Sequence, residues 1–132
     1  MKCERLEVWK KAVRLSSNVY KNFQECRDYG FKDQITRASL SIPSNIAEGM
    51  EKASLRDQIR FLDIAKGSTA EFATQTYIAM DIGYIEKETA KEWIKTADEL
   101  LAMLTKLQQS KDFRNSELGT RILKIQRIFH EI

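Results

Sequence analysis

The stretch from Gln34 to Gly49, QITRASLSIPSNIAEG, decides how the rest of the chain is organised. It contains the only proline of the sequence, Pro43, and a dense run of small and polar residues inside a helical pattern. Its apolar positions recur at steps of three and four, the spacing of one buried helical face. We therefore predict a helix that starts near Phe31 and is kinked at Pro43, which donates no backbone hydrogen bond. A break into two short helices at Pro43 is the alternative.

Polar residues border the apolar face of this helix, and a later helix carries matching ones. A half-satisfied buried carboxylate is costly, so such groups normally complete a hydrogen-bonded layer that sets helix register. The predicted layer consists of Gln34, Arg37, Ser41, Asn45, Glu48, Ser68 and Glu71. The alternative is that Glu48 and Glu71 lie together, which would raise the pKa of one carboxyl and allow acid–base chemistry.

Three more long helices surround this stretch. The first runs from about Arg5 to Arg27, the third from about Leu55 to Ile82 after a capping Ser54, and the fourth from about Lys87 to Gln109 with a near-heptad apolar seam. Short connections force neighbouring helices to be antiparallel. The sequence therefore predicts an all-α fold, an antiparallel up-down-up-down four-helix bundle, over residues 1–110.

The first and third helices each carry two apolar stripes, which is more than one bundle core requires. The second face on each helix predicts homo-oligomers. In the third helix, Gly67 and Ser68 weaken helix propensity, and we expect a close approach of another helix there.

Residues 111–132 form a separate C-terminal segment. KDFRNSELG is typical of a linker with a new helix cap at Ser116, and a short amphipathic helix follows. Its apolar line is Leu118, Ile122, Ile125, Phe129 and Ile132. The segment has five basic and three acidic side chains, a net charge of +2. It either docks on the bundle or on a neighbouring subunit, or it is a basic arm for RNA, DNA or a protein.

Basic side chains cluster on two segments. Lys10, Arg14 and Lys21 form a line on the first helix, which is either a solvated face or an anion-binding surface. Arg121, Lys124 and Arg127 add a second group in the tail. The net charge of the chain is only +3, a weak indication of an acidic partner.

The composition excludes several classes of function. The two cysteines, Cys3 and Cys26, fit no metal motif and indicate a reducing, cytoplasmic setting, and no apolar run is long enough to cross a membrane. With a single histidine, His130, the chain cannot build a di-iron site of the Glu-x-x-His type. No hydrolase, P-loop or dinucleotide motif is present, so we predict no enzyme activity and no cofactor.

Several motifs together closely resemble the 23S ribosomal RNA intervening-sequence family of four-helix bundle proteins. They are Leu6-x-Val8-Trp9-x-x-Ala12, Tyr29-Gly30-Phe31, Gln34-x-x-Arg37-Ala38, Ser41-Ile42-x-x-Asn45-Ile46-Ala47-Glu48-Gly49, Phe61-Leu62-x-x-Ala65-x-Gly67-Ser68-x-x-Glu71 and Gly83-Tyr84. The resemblance covers about residues 3–108.

This resemblance implies a bacterial four-helix bundle that assembles into a ring-like homopentamer, with no enzymatic activity. The accessory proteins of diversity-generating retroelements are similar to this fold and work with nucleic acid through a basic surface. We therefore predict a non-enzymatic homo-oligomer that binds nucleic acid or a nucleoprotein. The alternative is a structural or protein–protein interaction module.

Overall fold

The computed structural model of the chain describes residues 1–131, and every regular element within them is helical. A short 3-10 helix precedes five α-helices: Lys2–Arg5, α1 Glu7–Asn22, α2 Tyr29–Met50, α3 Leu55–Asp81, α4 Lys87–Asn115 and α5 Glu117–Glu131. Ile132, assigned by the sequence to the last apolar line, lies outside the described residues.

The first four helices pack as an antiparallel bundle in which each contacts its neighbours in the chain and α1 closes against α4. Hydrogen bonds mark the register of the pairs: Ser16 of α1 lies beside Ser39 of α2, and Lys11 of α1 bonds to Glu99 of α4. The structure therefore confirms the predicted all-α bundle with a shorter C-terminal helix.

Side chains cap the starts of α2 and α3. Ser54 accepts a hydrogen bond from the backbone of Asp57 at 3.1 Å, which confirms the predicted start of α3. Asp28 caps α2 by accepting from the backbone of Phe31 at 3.1 Å, so Gly30 lies in the first turn of α2 and does not end the preceding helix. At the end of α3, Gly83 has a φ of +79°, which explains a glycine there.

Helix α2 is continuous through Pro43, so the alternative of two short helices is wrong. A proline in a helix interior costs about 3 kcal/mol. Ile42 and Ile46 on either side are completely buried, and packing of this apolar face against the bundle holds the helix together across the lost hydrogen bond.

Helix α4 continues to Asn115, beyond its predicted end at Gln109, so most of the predicted linker is helical and only Ser116 separates α4 from α5. Gln108, just before the predicted end, is buried and bonded to α3. Its side-chain nitrogen donates to the carbonyl oxygen of Ile59 at 3.2 Å, and its oxygen accepts from Lys66 at 3.1 Å. The bundle therefore still supports α4 where the sequence pattern becomes polar.

Helix α1 is shorter than predicted at both ends. Leu6 has extended backbone angles, φ −79° and ψ 123°, and separates the 3-10 turn from α1. The helix ends at Asn22, with Phe23 as its C-cap.

Aromatic side chains hold one end of the bundle together. Trp93 of α4 lies 6.2 Å from Phe23 and 5.8 Å from Phe72 between ring centroids. Phe31 packs against Phe23 at 6.0 Å and against Tyr84 edge-to-face at 5.4 Å. Such pairs add to the stabilisation that comes from burial alone. The aromatic contacts at this end therefore connect all four helices of the bundle.

The Tyr84 hydroxyl also donates a 2.6 Å hydrogen bond to Asp28, which joins the α3–α4 connection to the start of α2. This bond and the capping bond from Phe31 lower the pKa of the Asp28 carboxyl below its ordinary value. The same contact raises the pKa of Tyr84.

We expect the Asp28–Tyr84 contact to make stability depend on pH. Because the folded-state pKa of Asp28 is lowered, the ionised carboxylate stabilises the fold above its unfolded pKa, and this contribution is lost as the pH falls through the folded pKa. Tyr84→Phe should therefore lower the urea midpoint more at pH 7 than at pH 3. Tyr77→Phe, on an exposed tyrosine of α3, is the control. An equal loss for Tyr84→Phe at both pH values would contradict the assignment.

Gly49 marks a close approach of α2 to α3. A Cβ atom at this position would lie 2.8 Å from Cβ of Phe61 and 3.4 Å from the carbonyl oxygen of Gln58. Real Cβ atoms do not approach that closely, so a side chain here would push the two helices apart.

Gly49→Ala should lower the free energy of unfolding by about 1–3 kcal/mol, the usual cost of overpacking. The clash with Phe61 should outweigh the gain in helix propensity. Gln34→Ala, on the exposed side of the same helix, should change stability by less than about 0.5 kcal/mol. Urea unfolding of the two variants is the measurement, and an unchanged or raised midpoint for Gly49→Ala would refute the close approach.

Candidate functional site

A hydrogen-bonded cluster of three residues lies between α2 and α3 at the border of the core. The hydroxyl oxygens of Ser41 and Ser68 are 2.8 Å apart. One turn after Ser41, the side-chain nitrogen of Asn45 donates to Ser41 Oγ at 2.9 Å and to the Ser41 carbonyl oxygen at 2.8 Å. Ser68 is buried and the other two are half-buried. The cluster helps to set the register of α2 on α3, because shifting either helix would leave these polar groups unpaired.

The other four residues of the predicted layer are exposed and do not join this cluster. Arg37 donates to Asp33 at 2.9 Å, one turn earlier on its own helix. Gln34 also lies on the solvent side of α2. A partner on the same helix, together with water, satisfies such side chains without the desolvation that a buried layer requires. The layer is thus reduced to Ser41, Asn45 and Ser68.

Glu48 and Glu71 have separate surroundings. Glu48 lies 3.9 Å from the Lys52 ammonium, and Glu71 accepts a hydrogen bond from Gln75 at 3.3 Å. Within residues 1–131, no hydrogen bond links the two carboxylates. Both carboxylates are exposed, so the structure does not bring them together as the acid–base pair of the alternative.

Gln75 is a half-buried polar residue of α3 that lies outside the predicted layer. Its Oε1 is the only buried side-chain polar atom without a hydrogen-bond partner in the described part of the chain. Leaving such an acceptor unpaired costs about 1–3 kcal/mol. The sequence signal for Gln75 is its position seven residues after Ser68, on the same face of α3.

The predicted basic residues of α1 point to solvent. Arg14 and Lys21 are exposed, and neither forms an ion pair with any residue in the range 1–131. Lys10 is partly neutralised by Glu7, at 3.3 Å. Arg14 and Lys21 are seven residues apart and therefore share one helical face.

The basic residues of the tail form a second group. Arg121 pairs with Glu117 at 3.0 Å, an exposed contact worth little. Lys124 and Arg127 are exposed and have no ion pair among residues 1–131. Among the described residues α5 contacts α4 and not α1, so the helices that carry the two basic groups are not packed against each other.

Exposed apolar residues occupy the outer side of α3. Ile64, Ile78 and Ile82 are all exposed and share the side of the helix that carries Gly67. A Cβ atom on Gly67 would have no neighbour within 4 Å, so the predicted close approach at Gly67 does not occur within the chain. The adjacent Ser68 does contact α2. We call Ile64, Gly67, Ile78 and Ile82 the α3 outer surface.

A second apolar feature is a groove of about 300 Å³ between α1 and α2. Its lining includes Trp9, Val13, Leu40, Pro43 and Ala47. It accounts for one of the two apolar stripes that the sequence shows on α1, since the other stripe is buried in the core.

The described residues offer little for metal or thiol chemistry. No group of three or more His, Cys, Asp or Glu side chains within residues 1–131 is arranged to hold a metal ion. His130 is exposed on the last turn of α5. Both cysteines are free, and burial raises the pKa of the Cys3 thiol, which makes it less reactive.

None of the helices in residues 1–131 combines the length and apolar character needed to cross a membrane.

Comparison with known proteins identifies the bundle. The profile of the 23S rRNA-intervening sequence protein family matches residues 4–106. Among solved structures, the chain is similar to a protein of unknown function from the S23 ribosomal protein family of Bacteroides thetaiotaomicron VPI-5482. The two chains are 24% identical, the alignment covers 76% of this chain and 97% of the other, and the TM-score is 0.72. At this identity the likeness shows the fold alone. No curated protein matches the sequence significantly.

The matched range contains α1, α2, α3 and most of α4, whereas α5 lies beyond it. The contacts between Ser41, Asn45 and Ser68 and the close approach at Gly49 all fall inside it. With the family profile matching well over half of its length, this chain belongs to the 23S rRNA-intervening sequence protein family.

Proposed function

We propose that this protein is a non-enzymatic module that assembles into a homo-oligomer, a pentameric ring, and binds nucleic acid or a nucleoprotein through exposed basic side chains. One observation carries the nucleic-acid part: Arg14 and Lys21 lie on one exposed face of α1 without a carboxylate partner in residues 1–131. A cation without a protein partner is available to a phosphate, and its binding releases counterions from the nucleic acid.

Basic residues of α5 also support the binding of nucleic acid. Lys124 and Arg127 of α5 are likewise exposed and without an ion pair in the described chain. The description of the family names 23S rRNA intervening sequences, and RNA as the partner agrees with that description.

Assembly strengthens the binding of nucleic acid by a weakly basic chain. One copy carries a net charge of only +3, and a ring of copies repeats that charge and the exposed face of α1 around a single particle. Several weak phosphate contacts made at once bind much more tightly than one, because the later contacts are intramolecular.

The α3 outer surface supports the assembly. Exposed isoleucines lose contact with water when another chain covers them. A glycine in an exposed helix interior costs about 1 kcal/mol relative to alanine, and no atom among residues 1–131 lies within 4 Å of the position that a Cβ on Gly67 would take. A close approach by a second chain would explain the glycine.

The alternative is a structural or protein–protein interaction module without nucleic-acid binding. The apolar groove between α1 and α2, lined by Trp9 and Leu40 among others, favours it because aromatic and aliphatic pockets anchor protein partners.

For nucleic acid, Arg14→Glu/Lys21→Glu should weaken binding to labelled single-stranded RNA and reduce the slope of log affinity against log salt by about 2, one per lost phosphate contact. Fluorescence anisotropy between low and moderate salt is the measurement. Lys87→Glu/Lys91→Glu on α4 changes the net charge equally and should have a smaller effect. Wild-type protein that binds neither RNA nor DNA at low salt would remove this proposal, and nuclease-insensitive capture of a protein would favour the alternative.

For assembly, light scattering at micromolar concentration should give a mass several times the 15.3 kDa of one chain. Ile78→Asp should shift the mass toward the monomer, because it places a charge on the α3 outer surface. Ala70→Asp, exposed on another side of the same helix, should leave the mass unchanged. A monomeric wild-type protein would contradict the proposal.

A further inference from the structure

Helix α5 leaves its apolar side uncovered. Leu118, Ile125 and Phe129 are 62%, 52% and 75% exposed. Together with Ile122 they form one line along this 15-residue helix, which contacts only α4 within the described chain. Isolated helices of about this length are marginal in water and depend on packing of their apolar face. The uncovered face therefore indicates that something else packs on α5.

The corner between α4 and α5 is tightly built. Ser116 donates its backbone N–H to the carbonyl oxygen of Phe113 at 3.1 Å and accepts the backbone N–H of Gly119 on its hydroxyl at 2.9 Å. A Cβ atom on Gly119 would lie 1.7 Å from the Phe113 carbonyl oxygen. This packing fixes the direction in which α5 leaves α4 and holds its apolar face away from the chain's own bundle.

The bundle has an uncovered groove at the same end. Between the start of α1 and the last turns of α4 is an open, mostly apolar groove of about 410 Å³, with Leu6, Val8, Met103 and Leu107 in its lining. One water molecule occupies about 30 Å³ in the liquid, so the groove has room for several aliphatic or aromatic side chains. We call it the α1–α4 groove.

We infer that the apolar face of α5 docks in the α1–α4 groove of a second copy of this chain. The groove supplies the apolar surface that α5 lacks, and the Ser116 corner explains why the helix does not use its own groove. Lys124 and Arg127 lie on the opposite side of α5 from its apolar line, so docking leaves them in solvent. The contact is separate from the α3 outer surface and does not depend on nucleic-acid binding.

Charge favours one direction of docking. Glu7 lies on the α1 side of the groove and Lys106 on the α4 side. On α5, Arg121 lies along one edge of the apolar line and Gln126 along the other. If α5 folded back within its own chain, it would run antiparallel to α4, and its right-handed twist would place Arg121 beside Lys106, a contact of like charges. If α5 of a second copy runs parallel to α4, Arg121 lies beside Glu7 instead, a contact of opposite charges.

Photo-crosslinking tests this inference in the full chain. The photoreactive amino acid benzoylphenylalanine is introduced at Phe129 or at Leu118, and each labelled protein is mixed with ¹⁵N-labelled wild-type chain. We expect crosslinks between copies, from position 129 near Ser110 and from position 118 near Met103. Crosslinks only within one chain, crosslinks to α5 of another copy, or no protein crosslink at all would overturn the inference.

A matched pair of variants separates this contact from the assembly proposed above. Ile125→Asp should reduce the yield of the crosslink from position 118 at least fivefold, whereas Gln126→Asp should reduce it less. Thermal unfolding of both variants checks that the bundle remains folded. Ile78→Asp, on the α3 outer surface, tests the other interface. Loss of the α5 crosslink in Ile125→Asp but not in Ile78→Asp supports the inference, whereas an equal yield in Ile125→Asp and the parent protein contradicts it.

Discussion

Close packing of α2 against α3 is the constraint on which the rest of the bundle depends. Gly49 lets the two helices approach until a single Cβ would collide with Phe61. Two turns away, Ser41 and Ser68 bond across the same interface. Because one contact sets the separation and the other helps to set the register, the apolar faces of both helices are presented together. Helices α1 and α4 then pack on the surface that this pair provides.

The two ends of the bundle differ in how they are closed. At one end, aromatic rings and the Tyr84–Asp28 hydrogen bond connect all four helices. At the other end, α1 and α4 leave an apolar groove, and α5 turns away at Ser116. The closed end stabilises the single chain, whereas the open end and the outer side of α3 offer apolar surface to other molecules. In the proposed function, assembly on these surfaces brings weak basic patches together.

Much of the fold could be predicted, because helical period, the Ser54 cap and the turn at Gly83 are local signals. The end of α4 could not, since residues 110–115 continue the helix although their polar sequence has no apolar helical period. The full polar layer could not be predicted either. Periodicity gives the face on which a residue lies but not its hydrogen-bond partner, and Arg37 bonds to its own helix. The close approach that the sequence predicts at Gly67 is not found within residues 1–131.

Hydrogen exchange of backbone amides, followed residue by residue in the folded protein, tests the central role of the α2–α3 pair most directly. Amides in the last element to open exchange only through global unfolding. We expect amides around Ile42 and Ile46 of α2 and Leu62 and Ala65 of α3 to exchange last, with α1 and α4 opening earlier. Amides of α1 or α4 that outlast those of α2 and α3 would contradict it.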